Sequence, residues 1–391
     1  EYHLWRYLDR TDNPTWNVDH GVVVGLKTSY HDSNGKLNRK SEENIYDAYH
    51  YYRSVKFVPR GQQYITLRNQ IPLPVLGLGT GGIDTRNLVD VVTKALDIGY
   101  RAFDLAREYF NERTFFKALA EHRRQHKDEE KSKDDLIERH DIFLISKVWP
   151  TNLGFDETMQ EINHSMDDLG TNYIDMYLLH WPACDRRIEW MHCETTRDPK
   201  ATWRESWRAL EKEYAEGRVN SIGVSNFDRS LLEELGMHAQ ILPHMVQNQG
   251  ELTMRGLDKD VREWCWDRRV AYQPYAHQRN IQFLSPDTQE SLEQMAEMHG
   301  KSVNNIVNKF FVQTGAAIIP RTSNIAHLKE NSEIFHYELA VNDMADLGWN
   351  ERDYFKNKKQ DTAGEWGDSF DFDNVPKVVK RKPHVDERSE L

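Results

Sequence analysis

The chain has 391 residues, with 63 acidic against 51 basic side chains and a formal charge of −12. It has no general basic bias, so a nucleic-acid or anionic-membrane role is not expected. No apolar run approaches the ~20 residues that cross a bilayer, and three cysteines cannot staple a chain of this length.

Residues 1–69 carry many aromatics (Trp5, Tyr7, Trp16, Tyr46, Tyr49, Tyr51, Tyr52) among polar and turn residues. Too small to hold much core alone, this extension is expected to fold back on the rest of the chain. Short β-branched and aromatic runs then alternate with helical periodicity. The pattern predicts a strand over Val75–Gly79, a helix over Asn87–Leu96, a strand over Ala102–Ala106 and a helix over Glu112–Arg123. A charged stretch, His126–Arg139, reads as a solvated insertion. The third strand lies in IFLISKVW (Ile142–Trp149), with a helix over Glu157–Leu169 and a strand over Ile174–Leu179 after it. A long connection, Cys184–Lys200, reads as a lid or specificity element and precedes a helix over Trp203–Glu216. Strands five to seven are Ser221–Val224, Met245–Asn248 and Val270–Tyr272, separated by helices Ser230–Met237 and Asp258–Trp266. Helices over Gln289–His299 and Val303–Gln313 precede an eighth strand, Ala316–Ile319. The fold class is therefore α/β, a parallel sheet or barrel over residues 70–350, with the N-terminal extension and a C-terminal loop and partly disordered tail over 351–391.

Four polar residues stand at the ends of three successive strands: Asp104 and Tyr109 in RAFDLAREYF, Lys147 in IFLISKVW and His180 in YIDMYLLHWP. A phenol with a pKa near ~10 is a poor acid at neutral pH. A lysine beside it lowers that pKa, and an aspartate keeps the lysine charged and aimed. His180 supplies a hydrogen bond that orients a carbonyl oxygen. Any one of these is ordinarily structural; four at three strand ends point to hydride-transfer chemistry.

These segments, with IPLPVLGLGT (Ile71–Thr80), GVSNF (Gly223–Phe227) and IPRTSNIAHLKEN (Ile319–Asn331), resemble the aldo-keto reductase superfamily in the same order. The resemblance implies a (β/α)8 TIM barrel whose catalytic tetrad of Tyr109, Lys147, Asp104 and His180 reduces aldehydes or ketones with NADPH, with NADH as the alternative cofactor. It further implies that Gly79, Thr80, Ser225, Asn226 and Gln249 hold the cofactor and that Tyr272 stacks on the nicotinamide. Arg321, Thr322, His327, Glu330 and Asn331 correspond to contacts with the adenosine 2′-phosphate and adenine, His327 standing where an arginine is usual. Trp149 and Trp181 correspond to walls of a pocket for a small carbonyl substrate. Gly77-Leu78-Gly79-Thr80-Gly81-Gly82 also fits the dinucleotide fingerprint G-x-G-x-x-G. The strand-to-helix run Ile318–Asn324 is the better anion site, because helix N-terminal amides, a hydroxyl and an arginine converge there.

The alternative function is a cofactor-binding, redox-sensing regulatory subunit with little turnover. A monomer is expected, with a small-molecule carbonyl substrate, no metal, no nucleic acid and no membrane. Cys184 and Cys193 can close a loop disulfide in an oxidising compartment, two free thiols being the default. The start at Glu1 and the end Arg388-Ser389-Glu390-Leu391, similar to an ER-retention signal, suggest the ER lumen as the alternative to a cytoplasmic location. Asn163-His164-Ser165 is a formal glycosylation sequon inside a predicted helix.

Overall fold

The computed structural model describes residues 63–127, 137–254 and 257–349. Of the extension expected over 1–69 only 63–69 lie within these bounds. Most of the charged insertion, residues 128–136, and the tail expected over 351–391 lie outside the described residues.

A hairpin comes first: β1 (Tyr64–Thr66) pairs antiparallel with β2 (Pro72–Pro74). Sequence periodicity misses it because each arm has only three residues and two of the six are prolines. Its apolar side chains Leu67 and Leu73 cluster with Ala102, Phe143, Ile145, Met176, Leu178, Met245, Ala271 and Ala317. Those partners are the inward residues near the strand starts, so the hairpin caps that end of the barrel.

Seven parallel strands come next in sequential order: β3 (Leu78–Gly79), β4 (Ala102–Asp104), β5 (Phe143–Val148), β6 (Met176–Leu179), β7 (Ile222–Ser225), β8 (Met245–Gln249) and β9 (Ala271–Tyr275). The expected eighth strand is present as a hydrogen-bonded segment. Ala317 N donates to Tyr272 O at 3.1 Å, Ile318 N to Val75 O at 2.7 Å, and Gly77 N to Ile318 O at 2.8 Å, which closes the ring. Helices α1 (Thr85–Ile98), α2 (Glu112–Lys127), α3 (Phe155–Leu169), α4 (Trp203–Ala215), α5 (Arg229–His238) and α6 (Lys259–Asp267) fill the crossovers. Both helices expected before the eighth segment are there, α7 (Pro286–His299) and α8 (Val303–Gln313); α9 (Ile325–Ser332) and α10 (Val341–Asp346) come after it.

Side chains alternate along each strand, as the pleat demands. Phe103, Leu144, Tyr177, Val224, Val246 and Tyr272 face the helix layer, where they join the main core with Leu88, Phe115, Trp207 and Phe311. The inward set turns polar toward the strand ends: Asp104 on β4, Lys147 on β5, Gln247 and Gln249 on β8, Gln273 and Tyr275 on β9.

Inside the barrel the sheet closes most tightly at Gly223. A Cβ there would stand 2.4 Å from Met245 O and 2.7 Å from Leu178 Cδ2, and backbone cannot yield as a flexible side chain can. Gly223→Ala is expected to destabilise by about 1–3 kcal/mol, the range for overpacking a filled core. Urea unfolding reads this as a lower midpoint at unchanged slope; an unshifted midpoint contradicts the packing.

Candidate active site

The centre of the barrel mouth is a buried ion pair. Lys147 Nζ donates to Asp104 Oδ1 at 2.6 Å and to Leu105 O at 2.9 Å, and the lysine has no solvent-exposed surface. Gln247 Nε2 donates to the other oxygen, Asp104 Oδ2, at 2.7 Å and also contacts Gln273 Oε1 at 2.8 Å. The carboxylate on β4 is thus held from β5 and β8. Burial pulls the Lys147 ammonium below its usual range, and Asp104 opposes that shift.

Tyr109 comes from a short 3₁₀ turn, Arg107–Tyr109, just beyond β4. That turn is tied down by Arg107, whose Nη1 reaches Glu112 Oε2 at 2.5 Å and Asp168 Oδ2 at 2.8 Å while Nε reaches Glu161 Oε2 at 3.0 Å. Ser146, next to Lys147, donates to the other Glu112 oxygen at 2.6 Å, so turn, helix and strand form one polar network. The Lys147 ammonium lies 5.1 Å from the Tyr109 ring centroid. Sequence reasoning expects it to lower the phenol pKa; in the structure burial, and then the Asp104 charge, raise it, with Arg321 opposing.

His180 lies just beyond β6 and meets Tyr109 edge-on, ring centroids 5.7 Å apart, and Trp149 edge-on at 5.0 Å. Burial, then Lys147, drives its pKa well below 6.5, so the ring is a neutral imidazole. Its Nδ1 is buried without a hydrogen-bond partner among the described residues. The four residues read from the sequence are therefore brought together. Gly81 adjoins them: a Cβ there would stand 2.9 Å from Tyr109 Cζ, so only glycine leaves the phenol in this position.

The amide set lies beside this group. Asn226, at φ 61°, donates from Nδ2 to His180 O at 2.8 Å and to Ser225 Oγ at 3.2 Å. Gln249 ends β8 and donates to Glu251 Oε1 at 2.7 Å. Tyr272 is elsewhere. It faces the helix layer, where its hydroxyl donates to Asp258 Oδ2 at 2.9 Å. The mouth tyrosine is Tyr275, in register with Gln249 and donating to Asn226 Oδ1 at 2.6 Å. Sequence reasoning ends the seventh strand at Tyr272, two residues before Pro274. The strand runs through the proline, and period two then puts Ala271, Gln273 and Tyr275 on one face.

At the eighth segment Arg321 is exposed and its Nη1 donates to Gly81 O at 3.0 Å, crossing Gly82. Thr322 Oγ1 accepts from Asn324 N at 3.0 Å and lies 3.5 Å from His327 Nδ1. Glu330 and Asn331 turn away from this surface. Glu330 accepts from Ser302 N at 2.6 Å and Ser302 Oγ at 3.0 Å, and buried Asn331 accepts from Asn308 at 2.8 Å. Thr80 is likewise internal, its hydroxyl donating to Asp104 O at 2.7 Å; Gly79 packs so closely that a Cβ would stand 2.7 Å from Ile319 O.

With this geometry in place, comparison with known proteins is decisive. Residues 75–348 match the model of the aldo/keto reductase family. The chain belongs to the aldo/keto reductase family. It is 31% identical to glyoxal reductase from Bacillus subtilis over 72% of the chain and 90% of that protein. It is 33% identical to aldose reductase B from Dictyostelium discoideum over 70% of the chain and 87% of the relative. An aldo/keto reductase crystal structure from Brucella melitensis superposes with a TM-score of 0.62 at 30% identity, covering 73% of this chain and 98% of that one.

In this aldo/keto reductase the mouth is walled by tryptophans. Trp149 is buried, donating from Nε1 to Met191 O at 3.2 Å, and lies 5.9 Å from Trp190, which lies 5.9 Å from Trp181. Sequence reasoning names Trp149 and Trp181 but misses Trp190, whose membership depends on the long loop folding back. Cys184 and Cys193 are disulfide-bonded across that loop, in place of the two free thiols expected by default; Cys265 alone among the described cysteines is free, and it is buried.

Burial also holds His244 down to about 3 and His277 down to about 4. With His180 they bind protons in the unfolded chain before they do so in the folded one. Stability from these groups is therefore full above pH ~6.5 and falls by up to ~1.4 kcal/mol per pH unit for each as pH drops toward its folded value. Urea unfolding between pH 7 and 5 should show this loss, and His244→Asn should reduce the slope by about one proton. An identical slope in the variant removes His244 from the account.

Proposed function

We propose that this enzyme reduces aldehydes or ketones to alcohols with NADPH, Tyr109 serving as the general acid. The observation that carries the reading is the buried Lys147–Asp104 pair set beside the Tyr109 and His180 rings. Bound NADPH supplies the hydride for the substrate carbon. Burial keeps the Tyr109 phenol protonated at neutral pH, so it holds a proton for the carbonyl oxygen. Neutral His180 offers an N–H that positions this oxygen. The Lys147 ammonium, fixed by Asp104, stabilises the charge left on the phenol oxygen.

The donor set fits the cofactor. Ser225, Asn226 and Gln249 present amide and hydroxyl groups suited to a carboxamide, and Tyr275 replaces Tyr272 as the ring for the nicotinamide face. Arg321, Thr322 and His327 are the anion-binding side chains at the start of α9. Glu330, Asn331 and Thr80 act by positioning, since their side chains are engaged inside the protein. The tryptophan wall suits apolar or aromatic carbonyl compounds. The disulfide favours the ER lumen or another oxidising compartment over the cytosol.

Tyr109→Phe is expected to lower aldehyde turnover by at least ~10²-fold with little change in NADPH affinity, the scale of a lost general acid. Loss of NADPH absorbance with an aromatic aldehyde measures it, and parental turnover in the variant rejects the assignment.

Arg321→Ala is expected to weaken NADPH by about 1.5–3 kcal/mol, the range for hydrogen bonds to a charged group, and NADH far less. Fluorescence titration with both cofactors separates the two; equal losses place the 2′-phosphate elsewhere.

A further inference from the structure

On the outside of the barrel, remote from the polar strand ends of the site above, helices α1 and α2 bring three metal-ligating side chains together. Asp97 stands one residue before the end of α1. His122 and His126, an i, i+4 pair, lie on one face of the last turns of α2. Asp97 Oδ1 is 3.2 Å from His122 Nε2 and 3.2 Å from His126 Nε2, and all three atoms fall within 4.8 Å of one another. The imidazoles stack with centroids 4.2 Å apart, and His122 is only 5% exposed. Among the described residues this is the one cluster of its kind.

The His126 Nδ1–H donates to the His122 carbonyl at 2.9 Å, since a carbonyl oxygen can only accept. In the neutral ring this leaves Nε2 as a bare lone pair, aimed at a carboxylate oxygen. That contact is favourable only with a proton or a metal ion between the two atoms. The same Nδ1-to-carbonyl bond is the usual outer contact that orients a metal-binding histidine. The size also fits: ligand atoms ~2.0–2.2 Å from a tetrahedral Zn²⁺ stand roughly 3.3–3.5 Å apart, close to both measured edges. Lys94 Nζ lies 3.4 Å from Asp97 Oδ2, which leaves Oδ1 to the imidazoles.

We propose that Asp97 Oδ1, His122 Nε2 and His126 Nε2 bind one divalent transition-metal ion, Zn²⁺ by preference, with water completing the tetrahedron. The ion ties the C-terminal ends of α1 and α2 together, at the barrel end opposite the strand ends that carry the chemistry. Its role is structural: α1 and α2 precede β4 and β5, the strands that bear Asp104 and Lys147.

The test uses the purified full chain after EDTA treatment and removal of the chelator, titrated with CoCl₂ and with ZnCl₂. One Co²⁺ per chain with the visible absorption of a four-coordinate ion, displaced by Zn²⁺, is expected, with a rise in melting temperature on adding Zn²⁺. Asp97→Asn and His126→Gln should each weaken binding by more than the ~10–100-fold lost on removing an outer-shell partner, abolish the melting shift, and leave Zn²⁺-free aldehyde reduction as in the parent. Absence of stoichiometric Co²⁺ uptake by the parent chain overturns the proposal without recourse to any variant. Unchanged uptake in both variants also overturns it, by placing the ion on other ligands.

Discussion

Everything at the mouth of this barrel is arranged around an ammonium that cannot reach water. Moving such an ion into a protein interior costs several kcal/mol, and the cost is offset only when its partner is held in good geometry and the remaining polar atoms are paired. Here Asp104 meets Lys147 with one oxygen and Gln247 with the other, and Leu105 O takes a second lysine proton. Strands β4, β5 and β8 must therefore keep their register to within a fraction of a residue. Because a one-residue slip sends an inward side chain out to the helix layer, the polar centre and the apolar alternation specify the same alignment.

The two ends of the barrel divide the work. Near the strand starts the inward layer is apolar and is sealed by the β1–β2 hairpin through Leu67 and Leu73. At the strand ends the inward layer is polar and the connections are long. This division is the general habit of the fold, and it explains why the polar network about Arg107 lies between turn, helix and strand without entering the barrel axis.

Much of this is legible in the sequence, for identifiable reasons. Strands that alternate with helices reveal themselves by period and length, and Asp104, Tyr109, Lys147 and His180 stand out because charge at the end of an apolar run is costly without a purpose. Features that depend on three-dimensional closure do not show. Tyr272 and Tyr275 differ by three residues, and only the strand continuing through Pro274 reveals which of them faces inward. Trp190 lies in a loop without periodicity, and the hairpin arms are too short to have any. Glu330 and Asn331 match their segment in type, yet their side chains serve the packing of α9 on α8. The His122 and His126 spacing is visible, but its partner Asp97 lies on another helix, and no local pattern joins them.

The covalent link between Cys184 and Cys193 changes when the loop over the mouth loses its freedom. An unlinked loop of this kind has to be ordered each time a ligand arrives, and part of the contact energy is consumed in doing so. Here the link, the Met191 O bond to Trp149 and the packing of Trp190 between Trp149 and Trp181 fix the loop beforehand. The entropy is surrendered once, during maturation of the chain, and not at every catalytic cycle. A pocket wall prepared in this way accepts a ligand as a rigid surface does.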